Sequence, residues 1–215
     1  MGFIHPGVPQ ELVARLTKEF GITTFVETGT HKGNTAEWAS PVFPKVVTIE
    51  GSELWFQRTK ERLAPLGNVE MLFGHSAQVL PEVVSKLTAP ALFWLDAHWS
   101  GRQTAGADDQ SPQLGEIAAI NTSPLDHFIL IDDARLFLSP PEPPHNVDQW
   151  PDIASLLAAL SAVRPKYAVV FDDAIIAVPP AAKRLLQAYC LDVSAAQKNR
   201  TFVEKATDTL RRALG

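Results

Sequence analysis

The sequence predicts an α/β fold, a doubly wound parallel sheet that ends in an antiparallel hairpin. Three observations lead there. Short apolar, β-branched runs alternate with helix-patterned segments, with little chain between them, as in successive βαβ units. In KYAVVFDDAIIAV two strand-like runs are separated by Asp172-Asp173 alone, so they must pair antiparallel through a tight turn. A chain of 215 residues, 46% hydrophobic and 20% charged, can bury a full core and suits one domain better than two. The expected unit is a single domain spanning 1–215.

VPQELVARLTKEFG sets Leu12, Val13, Leu16 and Phe20 on one helical face and closes with Gly21, a helix with its stop signal. TTFVE follows as a short buried strand. NTAEWASPVF reads as a helix cut short by Pro41, KVVTIE as the second strand, and SELWFQRTKERLAPLG as a helix with Ser52 as N-cap. NVEMLFG is the third strand, and SAQVLPEVVSKL is a helix in spite of Pro81. ALFWLD is the fourth strand and HFILID the fifth, reached through a polar loop insertion near 97–111 and a helix near 112–121. The hairpin brings the total to seven strands. Residues 134–151, ARLFLSPPEPPHNVDQWP, are too rich in proline for a helix and long for a connection, so an ordered flap is expected.

The formal charge of −5 is spread without a basic stripe, which excludes a nucleic-acid backbone as the expected partner and favours a small neutral or cationic ligand. Cys190 is the only cysteine and cannot form an internal disulfide, and no apolar leader follows Met1. No apolar run approaches the roughly 18 residues of a membrane span. The expectation is a cytoplasmic protein with no membrane partner, and a homodimer is compatible with it.

In FVETGTHKGNT, Glu27 ends the first strand, and Gly29, Thr30 and Gly33 form the turn into the next helix. Glycines there allow close approach of backbone to a ligand, and the helix start behind them offers free N–H groups. A dinucleotide fingerprint requires G-x-G-x-x-G, whereas residue 31 is His and the two glycines are four apart. The pattern E-x-G-x-x-x-G resembles motif I of the class I S-adenosylmethionine (SAM) dependent methyltransferases, and the resemblance extends over most of the chain. It implies a Rossmann-like sheet with a terminal antiparallel strand and SAM as cofactor. It also implies that Glu27 serves the methionine amino group, that the 29–33 loop lies against the cofactor, and that Glu50 at the end of strand two binds the ribose hydroxyls. A carboxylate suits that last task, since it accepts two hydrogen bonds from a vicinal diol. In FGHSAQ, His75 stands where the family commonly has aspartate beside adenine, leaving His75, Ser76 and the backbone for that contact.

FWLDAHWSG ends the fourth strand in Asp96-x-His98, and FILIDDARLF ends the fifth in Asp132-Asp133. With those strands as neighbours, three carboxylates converge, and like charges so placed call for a cation. Oxygen ligands favour a hard ion such as Mg²⁺ or Ca²⁺. The layout resembles the metal-dependent O-methyltransferases of the catechol and macrocin types. That implies a divalent ion held by Asp96, Asp132 and Asp133, with Asp96 also at the cofactor and in catalysis. His98 is the candidate general base for an acceptor hydroxyl, an outer contact and a plain loop residue being the alternatives.

The segment after Gly101 is expected to close over the acceptor, and Asp108-Asp109 are expected to be solvated. Trp99 is left as either a pocket wall or loop packing, and His145 and Arg135 as flap residues within reach of an acceptor. His5 and His127 read as structural, and Trp38, Trp55 and Trp94 as packing residues. The function so implied is SAM-dependent methylation of a small molecule, an O-methylation with metal assistance. A non-catalytic SAM-binding module and, less favoured by the glycine spacing, a nucleotide-dependent oxidoreductase are the rivals.

Overall fold

The structure is a computed structural model that describes residues 7–101 and 104–214, with side-chain environments through residue 199. His5 lies outside the described residues. Along the chain, α1 (Gln10–Phe20) leads to β1 (Thr24–Thr28), α2 (Asn34–Ala39), β2 (Lys45–Glu50), α3 (Glu53–Leu63), β3 (Val69–Phe73) and α4 (Ser76–Ser85). Then come β4 (Leu92–Leu95), α5 (Gln113–Asn121), β5 (Phe128–Ile131), α6 (Arg135–Leu138), α7 (Ile153–Ser161), β6 (Tyr167–Phe171), β7 (Ala174–Val178) and α8 (Lys183–Leu214).

Local chemistry accounts for the boundaries. Gly21 closes α1 in the left-handed conformation, its N–H returning to the Thr17 carbonyl. Ser52 caps α3 by accepting from the Trp55 N–H at 3.5 Å, and Asp152 caps α7 by accepting from the Ser155 N–H at 2.7 Å. Asp172 and Asp173 turn the β6–β7 hairpin with φ of 52° and 65°, the paired positive values of a type I′ turn.

The seven strands lie in the order β3-β2-β1-β4-β5-β7-β6. β7 is antiparallel to both of its neighbours and every other pairing is parallel. β4 shows how one sequence feeds two cores: Leu92 and Trp94 face α1, α2 and α8, while Phe93 and Leu95 face α4, α5 and α7. All four are fully buried, as an unbroken apolar run in a doubly covered strand requires. The order in which strands are added reverses between β1 and β4, which are parallel, and the register aligns Thr28 with Leu95 and Leu95 with Ile131. The carboxyl ends of β1, β2, β4 and β5 therefore share one rim, where such sheets open a crevice.

Two segments differ from expectation. Residues 134–151 contain the helix α6 and a 3₁₀ turn, Val147–Gln149, because the prolines begin only at 140 and leave the first residues free to coil. α7 and α8 are helices the periodicity reading leaves out; α7 is apolar nearly all round, which blurs its helical stripe.

Candidate functional site

The turn after β1 is fixed from behind. Gly29 has φ of 82°, and a Cβ there would lie 2.3 Å from the Asp96 carbonyl oxygen. A Cβ on Gly33 would meet the Thr59 side chain at 2.7 Å. Both glycines are thus demanded by packing of the chain on itself, whatever the loop binds. His31, between them, also takes a positive φ, 46°. Its N–H donates to one Glu50 oxygen at 2.6 Å while the Ser52 N–H donates to the other at 2.8 Å. Glu50 is consequently an aimed carboxylate with a second lone pair on each oxygen still available.

Glu27 is placed differently. It is 1% exposed and accepts from the Thr48 hydroxyl at 2.7 Å, itself paired with Thr30 at 2.6 Å. Burial raises its pKa from 4.5 to about 8 against the pull of the Thr48 and Thr35 hydroxyls.

Along the rim, His98 sits between two carboxylates. Its Nε2 is 2.8 Å from Asp133 Oδ2 and its Nδ1 is 3.4 Å from Asp96 Oδ1. Arg135 reaches the other Asp133 oxygen at 2.6 Å and also pairs with Asp173 at the hairpin tip. Burial alone would raise Asp133, but His98 and then Arg135 outweigh it and hold it down at about 2. Asp132 accepts from the Asp133 N–H at 2.8 Å and is raised to about 6 by burial and by Asp133. Asp96 is pushed well above the ordinary range, first by desolvation, then by Asp132 and Glu27.

A narrow cleft with a cavity volume of about 120 Å³ opens on this rim. Of the sequence-predicted residues it gathers Gly29, Glu50, His75, Ser76, Asp96 and His98. Glu27, Thr30, Gly33, Asp132 and Asp133 stand behind its walls rather than in them. It also recruits residues the sequence reading set aside. Trp55, taken as packing, lines it with its ring 4.2 Å from His31. Asp109, exposed as expected, also lines the edge of the cleft and pairs with His75 Nε2 at 3.0 Å.

The 97–111 loop lies across the cleft, with Ser100, Thr104, Ala105 and Gly106 along its edge. It is buttoned to the flap by Gln110, whose Oε1 accepts from the Asn146 N–H at 2.9 Å and from Trp150 Nε1 at 3.1 Å. Trp99 packs this loop, edge-on to His145, which in turn stacks on Trp150. Arg135 is spent on its two aspartates. His127 is structural, as expected: it is 1% exposed and accepts from the Ala91 N–H at 3.0 Å.

Two buried polar atoms on cleft-lining side chains, Trp55 Nε1 and His75 Nδ1, have no hydrogen-bond partner. Buried polar groups are normally satisfied, so their convergence marks a place for a polar ligand. Glu116 of α5, missed in the sequence because it sits in the helical pattern, lies just behind the cleft. It is fully buried, and burial lifts it to about 7, with hydrogen bonds from the Ser76 and Thr28 hydroxyls opposing.

The expected metal site does not fit this arrangement. Among the described residues no group of three or more His, Cys, Asp or Glu side chains is set to hold a metal ion. Asp133 is occupied by His98 and Arg135, while burial and the neighbouring carboxylates hold Asp96 and Asp132 above their ordinary range.

Neither a protein-family model nor a curated protein sequence matches the chain. Solved structures do resemble it. A provisionally assigned caffeoyl-CoA O-methyltransferase from Staphylococcus aureus superposes with a TM-score of 0.54 at 15% identity, over 81% of this chain and 86% of that one. A provisionally assigned methyltransferase from Streptococcus mutans, in complex with SAH, gives 0.52 at 13% identity over 81% of this chain and 100% of that one. A provisionally assigned rRNA methylase from Clostridium thermocellum gives 0.52 at 10% identity over 81% and 97%. The seven-stranded sheet with its reversed β7 is the class I methyltransferase fold. At such identities the likeness is one of fold, and these proteins differ in the acceptors their names state. Among the described residues no helix is long and apolar enough to cross a membrane.

Proposed function

We propose that the protein is a SAM-dependent methyltransferase acting on a hydroxyl of a small molecule. The observation that carries this reading is the cleft itself, where Glu50, aimed by two backbone N–H groups, and His98, anchored on Asp133, line one cavity. When bound, SAM supplies an electrophilic methyl group. Glu50 offers its two remaining lone pairs to the ribose diol, and the turn at Gly29 brings backbone close to the methionine portion. Asp96, at the end of β4, stands where a sulfonium or ammonium charge is to be balanced, and loading that charge favours its ionised form.

His98 has the geometry of a general base. Asp133 accepts from Nε2–H, which leaves Nδ1 as the acceptor nitrogen, buried 3.4 Å from Asp96 Oδ1 on a residue that lines the cleft. Removing a hydroxyl proton while holding the acceptor in line is what methyl transfer needs from a protein. The Asp133–Arg135–Asp173 chain keeps the imidazole in place. A divalent ion has no part in this account.

Calorimetric titration tests it: SAH is expected to bind at micromolar strength and Glu50→Ala to weaken it at least tenfold, the value of losing a charged acceptor. No heat at millimolar SAH would remove the reading.

A further inference from the structure

The cleft is smaller than the ligand the proposed function asks it to hold. Its volume is about 120 Å³, whereas sites for small ligands run from about 300 to 1,000 Å³, and a nucleoside thioether belongs in that range. The wall that narrows it is the later part of the 97–111 loop. Ala105 lies so close over Gly51, the residue after Glu50, that a Cβ on Gly51 would stand 2.9 Å from the Ala105 Cβ. We propose that residues 104–111 form a lid over Glu50, latched to the 134–151 flap by Gln110, and that release of this latch admits the ligand. This rests on the cofactor reading above, which names the ligand.

Gln110 is 5% exposed and bonds in two directions. Toward the start of its own loop, its carbonyl accepts from the Trp99 N–H at 2.9 Å. Toward the flap, its N–H donates to Gln149 Oε1 at 3.0 Å, and its side-chain Oε1 accepts from the Asn146 N–H at 2.9 Å and from Trp150 Nε1 at 3.1 Å. Those last two bonds are the releasable part, since one side chain makes both and water takes its place once the loop lifts. His75 and Asp109 form a second tie at 3.0 Å, but their side chains are 33% and 54% exposed, and water screens a pair so placed. Gln110 therefore supplies most of the hold.

The segment is stitched to move as one piece. The Thr104 N–H and hydroxyl both donate to the Gly101 carbonyl, at 3.0 and 2.8 Å, and the Asp109 N–H donates to the Gly106 carbonyl at 3.1 Å. Gly101, with φ of 132°, has open space around it and gives the lid a hinge, while Pro112 anchors the other end at the start of α5. Trp150, on the far side of the latch, has its ring 5.9 Å from that of His98. The bond that shuts the lid thus also seats an indole beside the base.

Two experiments on the full chain test the lid, both with SAH. A disulfide between Gly51→Cys and Ala105→Cys, on a Cys190→Ser background, needs Cβ atoms about 3.5–4.5 Å apart, a spacing the loop reaches with a small shift, and it fastens the lid shut. The reduced protein is expected to bind SAH, and the oxidised protein to show no binding at a concentration that saturates the reduced form. Gln110 does not line the cleft, so it gives an independent test. Gln110→Ala removes the acceptor of both side-chain bonds, and stopped-flow tryptophan fluorescence should show SAH associating about tenfold faster or more. Gln110→Glu keeps an acceptor oxygen and should keep the slow rate. A variant that was merely destabilised would bind SAH more weakly without associating faster, and circular dichroism establishes that each is folded. Oxidised protein that binds SAH as readily as the reduced form, or Gln110→Ala associating no faster than wild type, overturns the lid and leaves the cofactor reading standing. Wild type that binds no SAH removes the cofactor reading and the lid with it.

Discussion

Glu116 offers a quantitative test that needs no substrate. Its carboxyl is fully buried, and burial lifts its pKa from 4.5 to about 7 against the pull of the Ser76 and Thr28 hydroxyls. The folded state therefore holds this proton more tightly than the unfolded chain does. As pH rises through the unfolded value near 4.5, the unfolded chain ionises first and native stability falls, until the loss is complete above the folded value near 7. The full cost is about 3 kcal/mol.

Glu116→Gln keeps the shape and removes the ionisation. Relative to wild type it should be more stable by about 1 kcal/mol at pH 5 and by about 3 kcal/mol at pH 8. For a domain of this size the latter corresponds to a rise in Tm of roughly 6–12 °C. Urea unfolding followed by tryptophan fluorescence at both pH values measures it, and subtracting the wild type cancels most of the contribution of the other titrating groups. A difference independent of pH, or a variant less stable at pH 8, would refute the reasoning.

Two further predictions concern packing and cations. Gly29→Ala must find room for a Cβ 2.3 Å from the Asp96 carbonyl at a φ of 82°, so thermal unfolding should show a loss on the order of 3 kcal/mol or more, and an unchanged Tm would mean the turn is looser than described. Because Asp133 is engaged by His98 and Arg135, titration with MgCl₂ should show no stoichiometric uptake at micromolar strength; a 1:1 isotherm abolished by Asp132→Asn would reinstate the three-carboxylate site.

Periodicity made most of the sheet legible. Alternating apolar runs located the strands, and the two-residue gap at Asp172-Asp173 set the reversed hairpin, because so short a connection has one solution. Asp96, His98 and Glu50 were found for a related reason: polar residues that end apolar strands of a parallel sheet fall on one rim. Pairing was beyond reach. The sequence shows three acids after β4 and β5 but not that Arg135, two residues on, and His98 neutralise Asp133, so a metal looked necessary. Asp109 is exposed as the sequence suggested, but its pairing with His75, 34 residues away, was not legible. Glu116 was hidden in a helical pattern, where an acid reads as an exposed face until the packing buries it. Glu27 matched a family position, yet its burial behind Gly29 became visible only in three dimensions.

The most direct measurement is a crystal structure of the protein with SAH. The account requires the ribose hydroxyls on Glu50 and the sulfur toward Asp96 and His98. SAH bound elsewhere, or a cleft that stays closed to it at saturating concentration, would contradict the account.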